Sequence, residues 1–432
     1  MTSGAELHID SLAYGGSGVG RLDGKAVFVP LTAPGDRILC RMVREKKHFA
    51  EGEATRILQP SSLRREPPCP VFGRCGGCQW QHLPYAGQRE WKERIFADIL
   101  HRQAKVPAAS VLPLHPAPAE WNYRSRVQFK CRQTEQGLVI GFYRRGSHFV
   151  VDVEDCPITD ARLNETLRFL RLHLPAAPGI GQIPQIDLGI DDHGRQRGVV
   201  HYLGSETETL LAFLGPLAQS RGLSLFLQTG RKETLRPVWG EEDLHLRVGS
   251  PPLDLAYGPG GFAQVNLAQN LALVEAVVQA AELRGGERVL DLFCGMGNFS
   301  LPLARCGAEV IGIEDFAPAI VKARQNADRN GLAGAVFRAA AVTPTLRRLR
   351  GESFDLVLLD PPRTGAYEEV KALLDLRPRR ILYVSCDPPT LARDLLPLLH
   401  GGYLLRWSRP FDLFPQTFHT ESLSLLEATD PR

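Results

Sequence analysis

The sequence predicts three consecutive domains: a small all-β module over residues 1–60, a middle α+β domain over 61–256 that contains a cysteine centre, and an open α/β sheet domain over 257–432. Three observations carry this division. The first sixty residues break into short strand-like runs parted by glycine-rich turns. Three cysteines then fall within ten residues, Cys69, Cys75 and Cys78. From about Arg288 onward, short apolar runs alternate with helical patterns, as in a sheet covered by helices.

Composition bounds the class of protein. A chain of 432 residues with 44% hydrophobic and 23% charged residues has room for two or three domains and a full core. Residues 1–10 carry no basic-then-apolar leader, and no apolar run reaches the roughly 18 residues of a membrane span. The expectation is a cytoplasmic protein with no membrane contact. The net charge of +3 conceals an asymmetry, because residues 1–150 carry 22 Lys and Arg against 13 Asp and Glu, leaving 29 against 35 in the rest. A basic front and an acidic back suggest a polyanion grip joined to something else. Nine cysteines without a secretion signal point to metal binding or catalysis rather than a disulfide framework.

In the first module, Leu7 to Leu12, Lys25 to Pro30, Asp36 to Val43 and Ala50 to Leu58 read as strands. The stretch Gly15-Gly16-Ser17-Gly18-Val19-Gly20 reads as a turn, and with no helix after it, it is no nucleotide fingerprint. The pattern Gly18-Val19-Gly20-Arg21, Gly24-Lys25, Phe28-Val29-Pro30 and Ala33-Pro34-Gly35-Asp36 resembles the TRAM domain, an OB-like barrel found on RNA-modifying enzymes. By that resemblance Arg44, Lys46, Lys47 and His48 are backbone-contacting charges on a barrel loop, where the plainer reading is a solvated hairpin tip.

The cysteine run has glycines that let the backbone fold around one bound centre. A tetrahedral sulfur site needs a fourth soft ligand. Cys156, followed by Pro157, is the best candidate, because proline often follows a cluster cysteine. Zinc fits the same four thiolates. Residues 88–104 have helical spacing at Trp91, Ile95, Ile99 and Leu100, and this helix has the option of packing on the catalytic domain. After a linker-like Pro/Ala stretch, Trp121 to Lys130 and Gly141 to Arg145 interleave cationic and apolar residues in strand patterns. Such surfaces hold phosphates and stack bases, or are simply half-solvated sheet. Residues 159–255 mix helix and strand signals without evident chemistry.

The last domain carries the chemistry. After an amphipathic helix over Leu271 to Leu283, a strand runs through Asp291 into Phe293-Cys294-Gly295-Met296-Gly297-Asn298-Phe299. A strand, a Gly-x-Gly turn and a helix allow close approach to a nucleotide-like ligand. The next strand ends on Glu314, 23 positions after Asp291, where a carboxylate can accept both ribose hydroxyls. A third strand ends at Asp360-Pro361-Pro362-Arg363, and a fourth at Ser385-Cys386-Asp387-Pro388. Pro389 suits a first helical position, so backbone N–H groups there would favour a thiolate at Cys386, against the alternative of a buried, inert cysteine. Glu421, at the entry of the final strand, reads as a working base or as a surface ion-pair partner.

These residues together resemble the RNA uracil-C5-methyltransferase family, and more closely its 23S ribosomal RNA branch with a TRAM domain and an iron–sulfur cluster. The resemblance spans nearly the whole chain, through Cys69/Cys75/Cys78/Cys156, Gly261 to Asn266, Asp291 to Phe299, Leu359 to Arg363, Ser385 to Leu391 and Phe414 to Glu421. It implies a C-terminal Rossmann-like class I methyltransferase fold. It also implies that Cys386 adds to carbon 6 of uracil, that carbon 5 then attacks the methyl of S-adenosylmethionine, and that Glu421 removes the carbon-5 proton. Gln264, Phe293, Asn298, Glu314 and Asp360 match the cofactor-contacting positions. Cys69, Cys75, Cys78 and Cys156 match the ligands of a [4Fe-4S] cluster that is structural and RNA-positioning rather than an electron carrier. The implied partner is RNA, 23S rRNA ahead of tRNA, presented by base flipping, with no obligatory protein partner. One departure stands out. Where the family has a polar side chain near the adenine, this chain reads Arg338-Ala339-Ala340-Ala341-Val342, so backbone groups take that role or binding is weaker.

Three other enzyme readings fit less well. Amino-group methyltransferases place an aromatic where Arg363 stands, RNA cytosine-C5 enzymes carry a Pro-Cys pair near Asp360, and radical methylthiotransferases need a Cys-x3-Cys-x2-Cys spacing. An inactive RNA-binding or assembly factor is the alternative from another class.

Overall fold

The computed structural model describes residues 4–231 and 234–429. Strands β1 (Ala5–Leu12), β2 (Gly18–Leu22), β3 (Lys25–Val29), β4 (Arg37–Glu45) and β5 (Phe49–Gln59) close into a barrel in the order β1-β2-β3-β5-β4. Alternate residues point inward, so Leu7, Ile9, Val27, Val29, Ile38, Cys40 and Ala50 fill its core. The glycine run expected as a turn is only half one. Gly15 and Gly16 turn with positive φ, whereas Gly18 and Gly20 lie within β2. A Cβ on Gly20 would stand 2.3 Å from the His8 carbonyl oxygen, and one on Gly18 2.1 Å from the Thr32 hydroxyl. A barrel this narrow brings backbones so close that only glycine passes, and the composition alone looks like a loop.

Helix α1 (Tyr85–Ala104) leads to a seven-stranded sheet built from β6 (Arg126–Thr134), β7 (Gly137–Tyr143), β8 (Val150–Asp152), β9 (Gln185–Ile190), β10 (Gln196–His201), β11 (Leu223–Gln228) and β12 (Leu235–Trp239). Their order is β12-β11-β10-β9-β6-β7-β8, antiparallel except between β10 and β11. Helices α2 (Ala161–His173) and α3 (Thr207–Arg221) bury Leu163, Leu167, Leu210 and Leu214 against Phe129, Ile186 and Leu225 of this sheet. The α2 N-terminus is capped by Asp160, whose side chain accepts from the Arg162 N–H at 2.9 Å.

The hairpin of β13 (Leu244–Val248) and β14 (Leu253–Tyr257) precedes α4 (Leu267–Ala281). Then come β15 (Arg288–Leu292), α5 (Ser300–Arg305), β16 (Glu309–Glu314), α6 (Ala317–Arg329), β17 (Ala335–Ala339) and α7 (Val342–Arg348). The chain ends with β18 (Leu356–Leu359), α8 (Tyr367–Leu376), β19 (Arg380–Ser385), α9 (Pro388–His400), β20 (Tyr403–Phe411) and β21 (Glu421–Ala428). The sheet order is β17-β16-β15-β18-β19-β21-β20, parallel up to β19, with β21 antiparallel between β19 and β20. The order reverses between β15 and β18, which opens a crevice at the carboxyl ends of the strands. Helix α1 belongs to this packing: Phe96, Ile99 and Leu100 share one core with Leu391, Leu395 and Leu405. No helix among the described residues is long and apolar enough to cross a membrane.

Candidate active site

Cys386 stands in the turn between β19 and α9. The preceding strand residues are buried, and the helix starts on Pro388 and Pro389, which have no N–H to satisfy. Asp387 caps the helix, its Oδ1 accepting from the Thr390 N–H at 3.0 Å. The thiol is half-buried. Burial pushes its pKa up to about 12, the carboxylates of Glu421, Asp360 and Asp387 add to the rise, and only the Arg363 guanidinium opposes them. Burial and the three carboxylates thus push the thiol in the opposite sense to the one expected of the helix start.

Glu421 opens β21, the antiparallel strand beside β19, and is 2% exposed. The register pairs Ser385 with Ser422, so Cys386 and Glu421 continue past that pair into one site. Burial and the neighbouring Asp360 carboxylate push Glu421 well above the usual carboxylate range. The loop before it is anchored from outside the sheet. Gln416, at φ 71°, donates its N–H to Gln88 Oε1 at 2.9 Å, and its carbonyl accepts from the N–H groups of Gln79 and Trp80, each at 3.0 Å. The buried Lys92 ammonium donates to Asp412 at 2.6 Å and to the Phe414 carbonyl at 3.0 Å.

The cofactor crevice lies at the ends of β15, β16 and β18. A pocket of about 230 Å³ is lined by Gly258 to Phe262, Gly295, Met296, Glu314, Phe316 and Lys322 among others. Glu314 Oε1 accepts from the Phe316 N–H at 2.9 Å and Oε2 from the Gly295 N–H at 3.3 Å, which locks the carboxylate to the glycine turn. Phe293 adopts φ 64° at the start of that turn, and Asn298 exchanges paired 2.9 Å hydrogen bonds with Asn270 of α4. Gln264 is buried two residues after Phe262, in the segment that leads into α4. Asp360 follows β18 and donates its N–H to the Leu292 carbonyl at 3.3 Å. Its pKa is raised to about 7 by burial and by Glu314. The alanine run ends β17 and starts α7, and the Ala340 N–H donates to the Glu314 carbonyl at 2.9 Å. Behind the turn, Asp291 is fully buried and accepts from the Ser300 hydroxyl. Burial raises its pKa to about 8.

Cys69, Cys75, Cys78 and Cys156 line one cavity of about 310 Å³. Arg363, Phe414, Thr417 and His419 from the catalytic side line it as well. Among the described residues, no three His, Cys, Asp or Glu side chains converge tightly enough to hold a single metal ion. Burial and the other thiols, Cys156 foremost among them, raise Cys75 to about 11 and Cys78 further. The cysteine loop is pinned to the central sheet, since the Gly76 N–H donates to the Tyr143 carbonyl at 2.9 Å.

Several residues at the site went unread in the sequence. Tyr14, in the β1–β2 loop of the barrel, donates its hydroxyl to Asp387 Oδ2 at 2.7 Å. Gln88 and Lys92 hold the loop that leads to Glu421, although only their place on the buried face of an amphipathic helix marked them. Arg363 was read for the aromatic it replaces, yet its charge acts on the thiol and counters the carboxylates.

Two family models match the chain: tRNA (Uracil-5-)-methyltransferase over residues 243–429 and the TRAM domain over residues 5–55. The 23S rRNA (uracil(1939)-C(5))-methyltransferase RlmD of Thiobacillus denitrificans is 38% identical, covering 98% of this chain and 99% of that protein. Its counterpart from Aromatoleum aromaticum is also 38% identical, over 97% and 98%. The crystal structure of a tRNA (uracil-54, C5)-methyltransferase from Pyrococcus abyssi with S-adenosyl-L-homocysteine superposes with a TM-score of 0.76 at 26% identity, covering 98% and 99% of the two chains. With relatives this similar over its whole length and a barrel that matches TRAM, the chain belongs to the RNA uracil-C5-methyltransferase family.

Proposed function

We propose that this protein methylates carbon 5 of a uridine in 23S ribosomal RNA, using S-adenosylmethionine as methyl donor, Cys386 as nucleophile and Glu421 as general base. The observation that carries the reading is the meeting of Cys386 and Glu421 beside Asp360 at the crevice, from strand ends that only this topology makes neighbours. Carbon 5 of uracil is a weak nucleophile. Once the Cys386 thiol has given its proton to solvent, a bond from Sγ to carbon 6 moves the ring π electrons onto carbon 5 as an enolate-like carbanion. Carbon 5 then takes the methyl group as its bond to the sulfonium sulfur breaks, which leaves S-adenosylhomocysteine. Glu421 accepts the carbon-5 proton, the ring double bond returns, and the Sγ–C6 bond breaks. A carboxylate whose pKa is raised by burial is a stronger base when ionised, which suits removal of a carbon-bound proton. S-adenosylmethionine supplies an electrophilic methyl group and a positive charge. In this reading Glu314 accepts from the ribose hydroxyls, with Gln264, Phe293, Asn298 and Asp360 as the remaining contacts.

A 5-fluorouridine-containing 23S fragment tests this directly, because fluorine cannot leave as a proton and the adduct is trapped. A Cys386-dependent adduct is expected, and its absence on every ribosomal fragment overturns the reading. A tRNA target is the second reading, supported by the Pyrococcus neighbour; the higher identity to the 23S enzymes favours rRNA. Methylation of a tRNA transcript but of no 23S fragment would reverse that order.

The four thiols of the cysteine cavity hold a [4Fe-4S] cluster in this reading. All four donors are soft and line one cavity. The cluster would tie the 69–78 loop to the turn before α2 as a structural fixture. Anaerobic analysis should find iron and labile sulfide, whereas stoichiometric zinc without sulfide overturns the assignment.

A further inference from the structure

The barrel reaches the turn that bears Cys386. We propose that Tyr14 is a positioning residue of the catalytic turn: its hydroxyl holds the Asp387 carboxylate so that the α9 cap is kept and negative charge is drawn away from Cys386 Sγ. The two oxygens of Asp387 are divided between two donors. Oδ1 takes the Thr390 N–H at 3.0 Å and Oδ2 takes the Tyr14 hydroxyl at 2.7 Å, although 373 residues separate Tyr14 from Asp387.

The loop that delivers Tyr14 is built to stay in place. The Ala13 N–H donates to the Ser17 carbonyl at 2.9 Å and the Gly16 N–H to the Ala13 carbonyl at 3.0 Å, which closes a tight turn. The Gly16 carbonyl accepts from the Trp80 indole at 3.1 Å. The Tyr14 ring meets Phe418 edge-on at 5.2 Å, and Phe418 lies 4.1 Å from His419, in the segment that leads into Glu421. Tyr14 thus touches both the turn that bears the nucleophile and the loop that bears the base.

The electrostatic sense follows from what surrounds the thiol. Glu421 faces it from β21, Asp360 and Arg363 from the turn after β18, and Asp387 from its own turn. Three of these four charges oppose a thiolate. Only Asp387 lies next to Cys386 in sequence, and Tyr14 spreads that charge through a hydrogen bond. Burial and the Asp387 carboxylate keep the phenol protonated, so it remains a donor throughout the working pH range.

The inference rests on Cys386 as the nucleophile, and the experiment separates the two. Single-turnover adduct formation on 5-fluorouridine RNA is measured against pH for the wild type, Tyr14→Phe, Asp387→Asn and the double variant, with RNA Kd measured alongside. Tyr14→Phe should slow adduct formation by about tenfold at neutral pH, the scale of one hydrogen bond to a charged group, and move the rising limb to higher pH. Its RNA Kd should stay within about twofold of wild type. Asp387→Asn keeps a capping side chain and should move the limb to lower pH, and Tyr14→Phe should add little on that background. Burst amplitude counts folded, active molecules, so a folding defect lowers the amplitude without altering the rate. An unchanged rate and limb in Tyr14→Phe overturns the proposal. So does a weaker Kd with the saturated rate intact, or a full Tyr14→Phe effect in the Asp387→Asn background. An adduct that survives Cys386→Ala would instead sink the reading of the nucleophile.

Discussion

Arg363 is shared by two half-buried thiol environments. Around Cys386, one thiol faces three carboxylates and a single guanidinium. In the neighbouring cavity, four thiols share a lining of apolar side chains such as Val71, Val127 and Phe142 with polar ones such as Arg124, Asp155 and His419, and with Arg363 again among them. In both, burial is the largest cause of the raised thiol pKa values, so burial alone does not tell nucleophile from ligand. What differs is company. A lone thiol beside a base can attack and be released, whereas four thiols within one cavity can share a soft cationic body.

The sharpest way to break that contrast is to make the same change on each side. Cys386→Ser should lower methylation by at least about 10⁴-fold, since a hydroxyl is a far poorer nucleophile at that position, while RNA affinity and iron content stay as they are. Cys78→Ser should do the reverse in kind, losing iron and sulfide while folded molecules still form the adduct. Radiolabelled methyl transfer and metal analysis on the same preparations would show it. Iron loss in Cys386→Ser would mean that the two regions are one site.

Next in size is Glu421→Gln. Removing the base should slow turnover by about 10²–10⁴-fold while leaving the addition step in place, so the Cys386–RNA adduct accumulates with unmodified uridine. Denaturing gels detect this as a shifted RNA–protein band. Slow turnover without the band would assign Glu421 to an earlier step.

The parts of this site that were legible in the sequence are those whose meaning is local. A cysteine between a short apolar strand and two prolines, a Gly-x-Gly turn after a strand, and Glu314 at a strand end each lie within a few residues of the feature that explains them. The barrel strand β2 was lost because its glycines answer to His8 and Thr32 rather than to a turn. Tyr14, Gln88 and Lys92 were not legible because their partners, Asp387, Gln416 and Asp412, lie more than 300 residues away, and hydrophobic periodicity carries no record of such pairs. The charges around Cys386 were hidden for the same reason: the helix start is local, and two of the three carboxylates that raise the thiol, Glu421 and Asp360, are not.

Lys92 tests how far the two regions lean on one support, because the loop it holds bears Phe414 of the cysteine cavity and runs on to Glu421. Lys92→Ala leaves the Asp412 carboxylate buried without its cation and should cost about 3–5 kcal/mol. Urea denaturation measures it. The Lys92→Ala/Asp412→Ala double variant should lose less than the sum of the two single losses, and simple additivity would deny the coupling.

The smallest effect separates the regions by pH. Asp291 is buried with one oxygen on Ser300 and the other without a partner among the described residues, and its pKa is raised to about 8. A carboxyl raised on folding stabilises the native state fully below its unfolded pKa of about 4, and that contribution is lost as pH climbs through about 8. The Asp291 contribution should therefore fall between pH 4 and 8, with Asp360 adding a decline that ends near 7, while the buried His82 and His419, both held down to about 4, add an opposing rise below about 6.5. Asp291→Asn has no proton to lose. Its stability-against-pH curve should be flatter than wild type by at least about 1 kcal/mol across that window, roughly the worth of one pKa unit. Urea midpoints at pH 5, 7 and 8.5 would show this. If the wild-type and variant curves run parallel, Asp291 is already ionised at pH 5, and the proton-holding character of the catalytic half rests on Asp360, Glu314 and Glu421 instead.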